Sequence, residues 1–160
     1  MNVLVMYYSR SGNTKKLALE IEKGIKKVDD VDVVLKEVSD VTKQDFLNSD
    51  GVIVGSPVYF GSMANPVKKV LDDFVGIRKD MEGKVGAAFV TSGGPFGGNE
   101  TTLISILEAL LIYGMIIVGD PMDATGHYGV ACAGSPDGKT RSNAQKLGER
   151  VGKLVKKLRK

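Results

Sequence analysis

The 160-residue sequence predicts a doubly wound α/β fold: a five-stranded parallel sheet in the order 2-1-3-4-5, between two helical layers in a three-layer α/β/α sandwich. Two observations predict it. Strand-like and helix-like segments alternate along the whole chain, with no internal repeat, low-complexity stretch or linker between them. Most strand-like runs are also short and continuously apolar, as strands covered on both faces are. Right-handed crossovers then favour the stated order. A single domain over residues 1–160 accounts for the length, which is enough to bury a core without disulfides or a structural metal.

Each element follows from local pattern. Residues 2–8 read as a buried strand, and 13–28 as a helix with Leu17, Ala18, Ile21, Ile25 and Val28 on one side. Val31 to Val38 is a second strand whose Asp32, Lys36 and Glu37 place it near an edge. Gln44 to Asn48 reads as a short helical turn. Asp50 to Gly55 is the central third strand, followed by a helix over 64–75 that tolerates Pro66 in its first turn. Lys84 to Ser92 is the fourth strand. Glu100 to Tyr113 is apolar on nearly every side and reads as a buried helix, stopped by Gly114. Met115 to Val118 is the fifth strand. A long connection with Asp120-Pro121 and Pro136-Asp137-Gly138 precedes the last helix, 140–158.

Composition excludes several classes. The net charge is +3, and Lys153, Lys156, Lys157, Arg159 and Lys160 crowd the end of an amphipathic helix, where cations favour its C-terminus. No nucleic-acid module accompanies them, so nucleic acid is not an expected partner. No run of 18 or more apolar residues offers a membrane span, and no basic-then-apolar leader opens the chain. Cys132 is the single cysteine. These features together point to the cytoplasm.

Three loops leave the carboxyl edge of the predicted sheet, where ligands of doubly wound folds lie. The first is Ser9-Arg10-Ser11-Gly12-Asn13-Thr14, running straight into a helix. Its hydroxyls, its amide and the helix N-terminus can encircle a phosphate without a lysine. Helix capping alone would need only one such residue. The second is Ser56-Pro57-Val58-Tyr59-Phe60-Gly61-Ser62-Met63-Ala64, where adjacent aromatics can either cover a flat heterocycle or pack the next helix. The third, Thr91-Ser92-Gly93-Gly94-Pro95-Phe96-Gly97-Gly98-Asn99-Glu100, lets backbone N–H groups approach a ligand closely.

These loops lack the residues of neighbouring chemistries. Gly12-Asn13-Thr14-Lys15 does not supply Gly-x-x-x-x-Gly-Lys-Ser/Thr, and only Gly12 stands where a dinucleotide fold needs three glycines. Ser9 and Ser56 occupy the strand ends where a receiver domain carries acids. Cys132 lies far from the phosphate loop, and no Gly-x-Ser-x-Gly elbow exists. No catalytic acid–base residue and no metal ligand set is expected.

With the three loops in order, the chain resembles the flavodoxin family, and within it the branch shared with WrbA-type NAD(P)H:quinone oxidoreductases. The resemblance runs end to end and is best over Val3–Thr14, Gly55–Ala64, Thr91–Glu100 and Gly114–Val118, with His127-Tyr128-Gly129 after them. It implies FMN as cofactor. Ser9, Arg10, Ser11, Gly12, Asn13 and Thr14 would hold the 5′-phosphate. Val58, Tyr59 and Phe60 would lie against one side of the isoalloxazine, with Pro57 and Gly61 among the cofactor-binding residues, and Ser92, Gly93, Gly94, Pro95, Phe96 and Gly97 along its pyrimidine edge. His127 and Tyr128 would approach the ring or a substrate pocket. Where the quinone reductases often carry a histidine after the buried helix, this chain reads Ile112-Tyr113.

The resemblance leaves three functions open. One is an electron carrier that relays electrons between redox partner proteins. Another is an NAD(P)H:quinone oxidoreductase or FMN reductase, whose partners are NAD(P)H and quinone. The third is a flavin-free binding module on the same fold. A homo-oligomer is compatible with each.

Overall fold

The computed structural model describes residues 1–159. β1 (Asn2–Tyr7) leads into α1 (Asn13–Ile25), and β2 (Asp32–Glu37) follows. A 3-10 turn, Val38–Asp40, and the short helix α2 (Lys43–Leu47) return the chain to β3 (Gly51–Tyr59). The two-residue β4 (Ser62–Met63) precedes α3 (Asn65–Asp73) and a second 3-10 segment, Val75–Met81. Then come β5 (Val85–Ser92), α4 (Asn99–Ile112), β6 (Ile116–Ile117), β7 (Val130–Ala133) and α5 (Gly138–Leu158).

The sheet runs β2-β1-β3-β5-β6, with the main ladders parallel. That is the doubly wound order, since β5 and β6 are the predicted fourth and fifth strands. Two features depart from a plain five-stranded sheet. The fifth position is split: β6 pairs with Val85 and Gly86 at the lower end of β5, and β7 pairs with Phe89 to Ser92 at its upper end. Residues 118–129 leave the sheet between them. Part of the predicted long connection is therefore strand, and its run Val130-Ala131-Cys132-Ala133 is too short and mild to stand out among glycines. Second, β3 continues past Gly55 to Tyr59, with Pro57 still opposite Thr91, and folds back antiparallel as β4. The predicted second loop is thus mostly a hairpin.

Alternation along the strands sorts the core into two layers. Val3, Val5 and Ile53 face α1 and α5, while Leu4, Met6, Val52 and Val54 face α2, α3 and α4. α1 and α5 meet almost backbone to backbone. A Cβ on Gly24 would lie 2.0 Å from the Gln145 carbonyl oxygen, and one on Gly148 2.2 Å from that of Ile21. Phe89 similarly fills the space above Gly55, where a Cβ would meet its ring at 2.0 Å.

α4 is less enclosed than its composition predicts. Leu103, Ile106 and Leu110 are buried, but Leu111 and Ile112 are 58% and 65% exposed. Tyr113, at the end of α4, is buried, and its hydroxyl donates to the Leu71 carbonyl at 2.6 Å. Burial raises its pKa to about 12, so it is a structural donor that locks α4 to α3. Among the described residues, no helix is long and apolar enough to cross a membrane.

Candidate functional site

All three predicted loops arrive at the carboxyl edge of the sheet, and the chain joins them to one another. The buried hydroxyls of Thr14 and Thr91 share a hydrogen bond of 2.8 Å, linking the first loop to the end of β5. The Tyr8 amide donates to the Gly55 carbonyl at 3.1 Å, linking the first to the second. The second and third touch at glycines: a Cβ on Gly98 would lie 2.9 Å from the Gly61 Cα. The rim is continuous.

The first loop ends at Gly12, which starts α1 with φ 86° and ψ −9°. Only a residue at ease in the left-handed region turns the chain there without strain. No side chain caps the helix. Within the described residues, the amides of Ser11, Gly12, Asn13 and Thr14 donate to no protein acceptor. The next amide, that of Lys15, is taken up by Ser9 Oγ at 3.2 Å. A helix start with several unspent donors and the positive end of its dipole is a site for an anion. Arg10 and Ser11 lie exposed beside it.

A cleft of about 230 Å³ opens at this point, with Arg10, Ser11 and Asn13 on one side and Pro57, Val58 and Tyr59 on another. Thr91, Ser92, Gly93 and Gly134 complete it. Tyr59 Oη is buried without a hydrogen-bond partner among the described residues. An uncommitted hydroxyl of this kind costs free energy unless a ligand meets it. Ser56 holds the hairpin from below: its buried Oγ accepts from the Ala64 amide at 2.9 Å and donates to the Pro57 carbonyl at 2.7 Å. The tip residues Phe60 and Gly61 both have positive φ, 51° and 74°, the requirement of a two-residue hairpin turn. Phe60 accepts that strained conformation while fully exposed to solvent. Ser92 Oγ donates to the Gly94 carbonyl at 2.7 Å, tying the start of the glycine-rich loop to the end of β5.

The predicted residues therefore fall into groups. Arg10, Ser11, Asn13, Pro57, Val58, Tyr59, Ser92 and Gly93 line one cleft. Ser9, Gly12 and Thr14 shape its anion end from behind. Phe60, Gly61, Gly94, Pro95, Phe96 and Gly97 form the outer rim, with Phe96 as exposed as Phe60. His127 and Tyr128 line a different cavity, beneath the 118–129 segment. Sequence reading did not include Thr91 and Gly134 among the site residues. Gly134, with φ 70°, follows β7 and donates its amide to the Ser92 carbonyl at 2.8 Å. Its only sequence signal was a glycine after a strand too weak to notice.

The family model described as NADPH-dependent FMN reductase matches residues 42–128. Over 160 aligned residues, the chain is 38% identical to a flavodoxin of Aquifex aeolicus, covering 96% of this chain and 86% of that protein. The chain belongs to the flavodoxin family. It is also 32% identical to an NAD(P)H dehydrogenase (quinone) of Archaeoglobus fulgidus, with 98% of each covered. Among solved structures, a flavodoxin from the domain Archaea superposes with a TM-score of 0.81 at 30% identity, covering 98% of this chain and 99% of that one. The flavodoxin-family fold thus carries the cleft in this chain at the place where doubly wound sheets put their ligands.

Proposed function

We propose that the protein binds FMN in the cleft at the sheet edge and works as a flavodoxin-type electron carrier between redox partner proteins. The observation that carries this reading is the unsatisfied start of α1, with its free amides, beside the uncommitted Tyr59 hydroxyl. The amides of Ser11 to Thr14 would take the phosphate, helped by the exposed Arg10. Pro57, Val58 and Tyr59 would lie along one side of the ring and Ser92 with Gly93 along its polar edge. Bound FMN supplies the electron-transfer chemistry; the chain positions it and sets its potential.

Equilibrium dialysis tests the binding. FMN should be retained at least tenfold more tightly than riboflavin, which lacks the phosphate. Equal retention of the two, or retention of neither by folded protein, overturns the reading. Stepwise reduction of the loaded protein should then resolve two separate one-electron stages, with an electron paramagnetic resonance signal at the midpoint.

A second reading, an NAD(P)H:quinone oxidoreductase or FMN reductase, is favoured by the family model over residues 42–128 and by the Archaeoglobus relative. Consumption of NAD(P)H with benzoquinone faster than free FMN supports would select it over the carrier.

A further inference from the structure

Beneath the 118–129 segment, at the open edge of the sheet, lies a cavity of about 170 Å³ that shares no lining residue with the FMN cleft. Its walls include Asn99 from the first turn of α4, Asp120, His127 and Tyr128 from the segment, and Asn143 from α5. Asn99 and Asp120 are each only 8% exposed. Neither Asp120 carboxylate oxygen has a hydrogen-bond partner among the described residues, and neither does Asn99 Oδ1. Three buried acceptors thus border one small space, with no side-chain donor among the described residues satisfying them.

The Gly126 amide lies against the Asp120 carboxylate and favours its charge, while the nearby side-chain donors are committed elsewhere. The Arg150 guanidinium donates to the main-chain carbonyl of Asp120, not to its carboxylate. Asn143 Nδ2 donates to Thr125 Oγ1 at 2.8 Å, and Lys146 pairs with Asp123. The chain is nonetheless shaped to hold the carboxylate in place. A Cβ on Gly126 would fall 2.1 Å from Asp120 Oδ2, so only glycine lets the segment close over it. Leaving a buried charge uncompensated costs several kcal/mol in general. Glu100 adds a second negative charge at the wall, which His127 and Tyr128 also line. Among the described residues no cluster of three or more His, Cys, Asp or Glu side chains is arranged to hold a metal ion, so a hard metal ion would find too few ligands.

We propose that this cavity is a binding site for a small organic cation, an alkylammonium or guanidinium group whose N–H donors meet the Asp120 carboxylate and Asn99 Oδ1. The cation neutralises a charge that the fold has stripped of water and supplies the missing donors. Burial also pushes the Asp120 carboxyl pKa up, with the Gly126 amide, Arg150 and His127 opposing, which matches a carboxylate short of partners.

The test is a titration of the ¹⁵N-labelled full chain, loaded with FMN, with methylguanidinium and with methylammonium at constant ionic strength. Amide shifts should saturate at Asn99, Gly126 and Gly129 with a dissociation constant of about 1 mM, the range of a small ligand with few contacts. Asp120→Asn keeps the shape and should weaken binding at least tenfold, and Asn99→Ala should weaken it severalfold. Asp123→Asn, an exposed carboxylate on the same segment, should leave it unchanged. Shifts that persist in Asp120→Asn, that fall equally in Asp123→Asn, or that scatter over the surface overturn the proposal. So does saturation by an arginine-bearing peptide without any by the free cations.

Discussion

Gly12 contributes to the anion site by having no side chain. Its φ of 86° turns the first loop into α1, and nothing lies within 4 Å of the position a Cβ would take. Gly12→Ala therefore meets torsional strain and no steric clash, about 1 kcal/mol. We expect the variant to fold and to bind FMN about fivefold more weakly, read by fluorescence titration. Asp120 is the opposite case, a buried side chain short of donors. Its folded pKa lies above the ordinary carboxylate value, so the folded state holds its proton more tightly than the unfolded one. Stability from this group is then lost as pH rises through the raised value and is recovered on acidification. Without added cations, Asp120→Asn should be the more stable protein at pH 7, by about 1–3 kcal/mol. The gap should close below the usual carboxylate range, and thermal melts of both proteins across pH will show it. Neither property was readable from the sequence, because the signal in each is a relation to atoms distant along the chain. Ser9 to Thr14 was readable, because a strand, a polar loop and a helix start are consecutive.

At the scale of elements, α1 and α5 touch through glycines, not through interlocked large side chains. Their apolar spacing identified both helices and their buried faces. The close approach was not legible, since a glycine within a helical pattern looks only like a weak helix former. Gly148→Ala would place a methyl 2.2 Å from the Ile21 carbonyl oxygen and must push the helices apart. We expect a loss of at least 1–3 kcal/mol in chemical denaturation, as overpacking typically costs. Gly152→Ala, one turn on, should cost less, because its nearest neighbour is the tip of Val28 at 3.1 Å. The strands tell a similar story. β1, β3 and β5 announced themselves as apolar runs, whereas β7 is four residues of modest hydrophobicity that pair only because the end of β5 is exposed beside them. The hairpin at Phe60-Gly61 was hidden for another reason: Phe is a rare choice for a left-handed turn position.

For the molecule as a whole, stability and cofactor binding are linked by mass action. A ligand that binds only the folded state adds about 2.7 kcal/mol at a hundred times its dissociation constant. For a domain of this size, FMN at that excess should raise the melting temperature by about 5–10 °C, measured by calorimetry of protein with and without it. Riboflavin at equal concentration should give a smaller shift, because it leaves the start of α1 unsatisfied. The doubly wound order was legible because long crossovers and alternating elements leave few topologies. Its split fifth position was not, because a strand that stops and resumes after twelve residues resembles a loop.

The glycine contact between α1 and α5 also orders events during synthesis. The loop proposed to grip phosphate leads into α1, and α1 rests on a helix made from residues 138–158, the last element in chain order. A nascent chain lacking that helix holds the whole phosphate motif but not the platform beneath it. On the proposed function, capture of the nucleotide is expected only after residues 138–158 have packed against α1.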